Sequence, residues 1–477
     1  MTSYKTFETE RLILRPCVEQ DAKFIYRLLN TPKWLEFIGN RNVNSEKEAA
    51  KYILEKMYPQ LQNLGFGNYV VQRKSDNSKL GTCGIFDREG MEGLDIGFAF
   101  LPEYEKKGYA YEAARRLLQA AFEDFNLKTV KAITTQNNGY SQKLLEKLGM
   151  QNMGSAFLDG DPEELYLYEL NQKQYHQQGM QALLLNEFVL AEGAINERIR
   201  RSSLSLHPIL ANAPLIYGET KEPMSEIYRG YINIAQKAKT PICVYTPSWR
   251  ANAERVKQAK VLESINRDAC KFMQNIKNEF IGFEHQVKIG GLFGPKNDCY
   301  KPEEALSAEE AEQFHAWQIN ELAQSGVDFL VPETVPALSE ALGIARCAAK
   351  TGTPYMIGFV INRNGKILDG TTLNKAIESI DWQVEVPPIG YAINCAHPSF
   401  FNPEQLDSES LSRIIAYNAN ASSLDHCDLD NADCLHTDNL EEWGEIMLTL
   451  NKKYGINILG GCCGTNDAHI QYLIDNY

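Results

Sequence analysis

Between residue 187 and the C-terminus, short apolar runs of strand character alternate with longer amphipathic stretches, and no other feature restricts the fold so tightly. Eight such runs lie at 188–191, 242–246, 287–292, 328–332, 355–361, 389–394, 413–417 and 456–459. The clearest helical stripes between them span 308–324, 338–349 and 440–453. The first two end near Gly326 and Gly352, a residue type that closes helices in a left-handed turn. Strands covered on both faces by intervening helices pair in parallel, so this alternation predicts a (β/α)8 TIM barrel over 182–477. An open, doubly wound sheet is the competing arrangement. In the barrel, reactive residues gather where strands end.

The first 170 residues lack that rhythm and predict a separate α+β domain, 1–170, so the whole chain is of the α/β class. Residues 11–15 alternate as a strand and 19–29 carry a helical stripe. Runs at 69–71 and 81–86 flank the turn-rich Lys74-Ser75-Asp76-Asn77-Ser78 as a hairpin. A strand at 94–100 leads through Glu105-Lys106-Lys107-Gly108-Tyr109-Ala110 into a helix at 111–122. Strand, glycine turn and helix together make an anion cradle, because amides at a helix N-terminus lack intrahelical partners and lie at the positive end of the dipole. The Gln-rich stretch 171–181 between the domains reads as a linker.

Composition narrows the partners. Lys and Arg number 48 against 62 Asp and Glu, a net charge of -14 that repels polyanions, so general nucleic-acid binding is not expected. No apolar run approaches the roughly 20 residues of a membrane span, and the opening Met1-Thr2-Ser3-Tyr4-Lys5 leads into charged sequence without a signal core; a cytoplasmic protein is expected. Eleven cysteines without framework spacing argue against extracellular disulfides. The thiols are core residues or ligands.

Three of them stand apart. Cys395 closes the sixth strand run, and Cys462-Cys463 closes the eighth inside Gly460-Gly461-Cys462-Cys463-Gly464-Thr465. Neighbouring strand residues point to opposite faces, so only a glycine-loosened turn brings adjacent thiols to one ion. Three thiolates on one rim suit Zn2+ with a fourth position open, and zinc keeps a thiol substrate deprotonated yet nucleophilic, as alkyl transfer to sulfur requires. A second group, His426-Cys427 and Cys434-Leu435-His436, offers similar ligand types in an acidic loop, but lacks the short Cys spacing of a zinc knuckle and reads as a substrate-covering loop. His397 as a fourth ligand would close the coordination; a supporting or surface role fits better.

Asn394-Cys395, the double-cysteine segment with Ala468-His469-Ile470, Pro332-Glu333-Thr334-Val335-Pro336 and Asp369-Gly370-Thr371 together resemble the zinc-dependent homocysteine S-methyltransferases over 182–477. The resemblance implies Cys395, Cys462 and Cys463 as zinc ligands and Glu333 as partner of the homocysteine amino group. It also implies methyl transfer to the homocysteine thiol, giving methionine. Glu192-Gly193-Ala194 stands where the family has Asp-Gly-Ala, making Glu192 a further substrate contact. Thr246-Pro247-Ser248-Trp249 replaces a Thr-Asn-Thr pattern, which leaves S-methylmethionine, S-adenosylmethionine and betaine all open as methyl donors.

In the front half, Thr9-Glu10-Arg11-Leu12-Ile13-Leu14-Arg15-Pro16, the Lys107-Gly108-Tyr109-Ala110 turn, Asn138-Gly139-Tyr140-Ser141 and Leu148-Gly149-Met150 resemble the GNAT-type N-acetyltransferases, particularly those acting on ribosomal-protein N-termini. This implies acetyl-CoA, with its pyrophosphate on the amides around Lys107, Gly108 and Ala110 and its pantetheine and acetyl group near Asn138 and Ser141. Glu105 begins the turn where the family has Arg or Gln, so its carboxylate has to point away from a pyrophosphate. Asp95 and Glu103 border the strand that would face the thioester, with Asp95 the candidate base for an amine acceptor. The expectation is a two-enzyme fusion on small-molecule substrates. Its alternatives are a zinc-stabilised scaffold barrel and an acyl-CoA sensor.

Overall fold

The computed structural model describes residues 4–158, 163–425 and 436–477. The chain forms two compact units, Met1–Tyr175 and His176–Tyr477.

The first unit is built on strands β1 (Phe7–Glu8), β2 (Leu12–Pro16), β3 (Asn68–Arg73), β4 (Lys79–Asp87), β5 (Leu94–Phe100), β6 (Thr129–Thr135), β7 (Gln151–Ala156) and β8 (Leu165–Asn171), in the order β1-β2-β3-β4-β5-β6-β8-β7. Neighbours run antiparallel except β5 and β6, which are parallel and register at a single pair, Asp95 with Lys131. Beyond that pair no ladder joins the two strands, and the sheet is open between them from Ile96 onward. Helix Tyr109–Gln119 puts Ala113, Ala114, Leu117 and Leu118 into the core with Leu12, Leu14, Val71 and Ile85.

The second unit carries β9 (Val189–Ala191), β10 (Ile242–Tyr245), β11 (Val287–Phe293), β12 (Phe329–Pro332), β13 (Met356–Phe359), β14 (Gly390–Asn394), β15 (Ile414–Ala419) and β16 (Ile458–Gly461). All eight expected runs are strands, and all pair in parallel. β9 lies between β10 and β16, and a parallel bridge from Leu330 to Tyr355 joins β12 to β13, which closes the ring. An open sheet is excluded. Strand residues alternate as the two-residue period requires: Ile242, Val244 and Leu330 face the helices, while Cys243, Tyr245, Phe329 and Val331 fill the interior.

Of the stretch expected as a linker, 171–181, Asn171 ends β8 and the rest is helical. Helix Gln172–Leu184 buries His176, Met180 and Leu183, a spacing of i, i+4, i+7, and the two apolar residues join the interior cluster of the barrel. Glutamine is a good helix former, and three apolar-face positions suffice when the face has a partner. Where that helix enters, the Asp328 carboxylate lies 3.7 Å from Lys277, 3.6 Å from Lys288 and 3.8 Å from His176 and accepts from the Ile289 amide at 2.8 Å. Burial opposes its ionisation, but the surrounding cations outweigh burial and hold the carboxyl well below its ordinary range. This cluster sits at the N-terminal ends of the strands, opposite the residues described next.

Candidate active site

Cys395 follows β14 directly, and Cys462-Cys463 follow β16, so all three lie at the C-terminal rim of the barrel. Their sulfur atoms lie within 4.8 Å of one another, and the Cα atoms of Cys395 and Cys462 are 5.4 Å apart. Local backbone produces this convergence. Cys395 is left-handed at φ 51, which turns it out of the strand alternation, and its amide is tied to the Asn418 carbonyl at 3.2 Å. After Cys463 the chain reverses at Gly464, φ 85, and Thr465 returns to bond the Cys462 carbonyl at 2.7 Å and the Ala194 amide at 3.1 Å. Gly461 has to be glycine, because a Cβ there would lie 2.1 Å from the Thr465 hydroxyl.

Two carboxylates face the same mouth. Glu192 follows β9 directly, is 5% exposed, and accepts from the Tyr245 amide at 2.9 Å. Burial raises its carboxyl well above the ordinary range, the Tyr245 amide pulls it back, and the charge of Glu333 raises it further. Glu333 follows β12 directly; its amide bonds the Phe293 carbonyl at 2.9 Å, its carbonyl accepts from the Trp249 indole at 3.3 Å, and Oε1 accepts from the Asn418 amide at 2.8 Å. Burial pushes its carboxyl up to about 7, against the Asn418 hydrogen bond. Two carboxyls that each resist ionisation favour a cation beside them, since a bound ammonium stabilises the ionised form.

Sequence reasoning did not single out Asn418, which binds Glu333 and also donates to the Tyr245 hydroxyl at 3.1 Å. Its signal is its place at the end of β15, an inward position on the same rim. Asp369 proves to be a loop anchor: its oxygens accept from the Leu338 and Thr371 amides, both at 2.8 Å, fixing the turn that follows Glu333. His397 stays outside the thiol group; it bonds Ser399 at 2.7 Å and lies 3.5 Å from Asp438. Of the acidic loop cluster, only His436 lies among the described residues.

The donor set fits zinc. Three thiols on one rim leave a fourth position for substrate; the sulfurs of Cys395 and Cys462 are joined as a disulfide in this structure and serve as ligands in the reduced, thiolate form. Cys463 is exposed to the mouth, while Cys395 and Cys462 are partly buried.

In the first unit, the open gap between β5 and β6 is flanked by two helix N-termini. Gly108, left-handed at φ 81, caps helix Tyr109–Gln119, with Lys107 before it and Ala110 in its first turn. The turn is locked from the opening motif. Arg11 donates to Glu112 at 2.7 Å and to the Lys107 carbonyl at 3.2 Å and lies over the Tyr109 ring, while Thr9 donates to Glu112 at 2.5 Å. Glu105 turns aside to pair with Lys33, which leaves Lys106 and Lys107 exposed beside the cradle. Across the gap, the Asn138 side chain caps helix Gly139–Lys147 by accepting from the Ser141 amide at 3.1 Å. Asp95 sits at the closed end, 1% exposed, both oxygens taken by Arg88 at 3.2 and 2.9 Å. Glu103 pairs with Arg27 on the surface.

The homocysteine S-methyltransferase family model matches residues 189–476, well over half of the chain. The chain belongs to that family. Residues 11–151 match the acetyltransferase (GNAT) domain, so the methyltransferase-family barrel is preceded by a GNAT domain. The barrel is similar to homocysteine S-methyltransferase YbgG of Bacillus subtilis, 24% identical over 304 residues that make up 59% of this chain and 92% of that protein. The front is similar to the uncharacterized N-acetyltransferase YoaA of the same organism, 25% identical over 174 residues, 35% of this chain and 97% of that one. The oxidized form of the Escherichia coli homocysteine methyltransferase MmuM shares the barrel fold, with a TM-score of 0.50 at 18% identity, over 63% of this chain and 99% of that one.

Proposed function

We propose that the barrel transfers a methyl group to the thiol of homocysteine, giving methionine, with zinc held by Cys395, Cys462 and Cys463. The observation that carries this is the meeting, on one rim, of three thiols with two ionisation-resisting carboxyls. Zinc, when bound, supplies a thiolate of homocysteine that stays nucleophilic near neutral pH. Glu333 and Glu192 take the ammonium group of the amino acid, Asn418 fixes the Glu333 carboxylate, and the Trp249 indole holds the Glu333 backbone. Fixing the amino acid end orients the sulfur toward the donor methyl, so the attack is effectively intramolecular. The donor is S-methylmethionine or S-adenosylmethionine, with betaine the third candidate in the test below.

The front domain transfers an acetyl group from acetyl-CoA to an amine. The pyrophosphate docks on the amides of Lys107, Gly108 and Ala110, with Lys106 and Lys107 screening its charge, and the thioester arm enters the gap beside Asn138 and Ser141. Asp95, paired by Arg88 at the closed end of the gap, is the remaining carboxyl candidate for the base, and its burial raises its carboxyl above the ordinary range. We assign the chain to the cytoplasm, where the zinc thiols stay reduced. Its partners are the small molecules named above; among described residues no helix is long and apolar enough to cross a membrane.

The test is zinc content per chain together with methionine formation from homocysteine and each donor. One zinc and turnover with one donor establishes the reading. Zinc without turnover on any donor points to the scaffold alternative, and zinc-free protein that is fully active refutes the ligand set. Acetyl-CoA consumption dependent on an added amine separates acetyltransferase from sensor.

A further inference from the structure

Thr334, next to Glu333, is left-handed at φ 64 although it is β-branched, a conformation such residues avoid. What holds it there is a two-point clamp. The buried Asn394 side chain accepts from the Thr334 amide at 2.9 Å and donates to the Thr334 hydroxyl at 2.9 Å. The clamp is itself enclosed: a Cβ on Gly358 would stand 3.1 Å from the Asn394 oxygen and 2.7 Å from the Pro332 carbonyl. Because the hydroxyl oxygen already accepts from Asn394, its own proton is aimed elsewhere, and the Cys395 sulfur lies 3.6 Å away in a donor geometry. Thr334 is 3% exposed, so water does not compete for that proton.

We propose that Thr334 is a positioning residue for the metal centre. Its hydroxyl donates a hydrogen bond to the Cys395 thiolate, orients that sulfur, and withdraws electron density from the sulfur–metal bond. Asn394 acts through Thr334. Partners one shell out from a metal tune its ligands in this way, and their loss costs about 10- to 100-fold in metal affinity or activity. The inference rests on the zinc reading above.

The full-length protein is loaded with Co2+ in place of zinc, and the sulfur-to-cobalt charge-transfer band is recorded for wild type, Thr334→Val and Thr334→Ser. Valine keeps the shape and removes the hydroxyl; serine restores it. A thiolate without its hydrogen bond is more easily oxidised, so the band moves to longer wavelength in Thr334→Val and returns in Thr334→Ser. Zinc affinity by chelator competition falls about 10-fold or more in Thr334→Val and recovers in Thr334→Ser. Thr334→Ala provides the same comparison if the valine variant does not fold. A band and a zinc affinity unmoved in the hydroxyl-free variants overturn the role of Thr334 while leaving the thiol site intact. Absence of any sulfur-to-cobalt band in wild type refutes the zinc reading itself, so the two failures are distinguishable.

Discussion

The barrel and the acetyltransferase domain solve opposite problems with opposite parts of the polypeptide. At the barrel mouth the candidate groups are side chains brought from five strand ends, and the backbone turns sharply beside two of them, as the left-handed Thr334 and Cys395 show. In the front domain the cradle is backbone: a glycine-capped helix start and a gap where β5 and β6 stop pairing, with the side chains of Thr9, Arg11 and Glu112 bracing it from behind. Side-chain chemistry fails at single atoms. Backbone chemistry degrades gradually, because any residue whose amide keeps its place still serves.

That contrast can be broken by substitution. Cys463→Ala removes a proposed ligand without disturbing the front domain. Methionine formation should fall by about 10³-fold or more with loss of zinc, while acetyl transfer persists. A variant that keeps both zinc and turnover ends the ligand assignment. Next in size is the base of the barrel. Asp328→Asn leaves Lys277 and Lys288 buried without their counter-charge and should cost about 3–5 kcal/mol in the barrel's urea transition. A loss under about 1 kcal/mol would mean that the cluster is hydrated and idle.

Glu333→Gln removes the charge facing the ammonium and should lower kcat/KM for homocysteine about 10²-fold. Its pH dependence sharpens the point. Folding raises the Glu333 carboxyl to about 7, so its ionisation works against the fold as pH rises through that value, and a docked ammonium relieves the cost. Methionine, which has no titrating thiol, should therefore raise the melting temperature more at pH 8 than at pH 6. Glu192, Tyr245 and the Cys463 thiol also face Glu333, so the comparison is made against Glu333→Gln, in which the pH difference should shrink. Equal shifts at both pH values in wild type would remove Glu333 from the ammonium site. The smallest effect belongs to the backbone cradle: Gly108→Ala forces φ 81 on an L residue and should raise KM for acetyl-CoA about five- to tenfold, leaving methyl transfer unchanged. A collapse of acetyl transfer there would show that the cradle is as unforgiving as the thiol rim.

Much of the architecture was legible because its signals are local. Each barrel strand is a short apolar run bounded by turn residues, and Cys395, Cys462, Cys463, Glu192 and Glu333 stand at the ends of such runs. Helix Gln172–Leu184 was not legible, because His176, Met180 and Leu183 are too sparse to read as a stripe until the barrel interior supplies what they pack against. Asn418 was missed, and Thr334 entered only as part of a motif, for a related reason. An asparagine in a strand and a threonine in a turn are ordinary in sequence, and only distant partners, Glu333 and Tyr245 for one, Asn394 and Cys395 for the other, give them roles.

By itself, then, the sequence determined the rhythm of strands and helices, the two-domain order and the kinds of chemistry at the strand ends, since periodicity, glycine placement and residue type are properties of neighbours along the chain. Only the tertiary structure decided that the ring closes and that Glu105 turns toward Lys33. It also set Asp95 against Arg88 and placed three sulfurs within 4.8 Å of one another, because each of these depends on contacts between residues far apart in sequence.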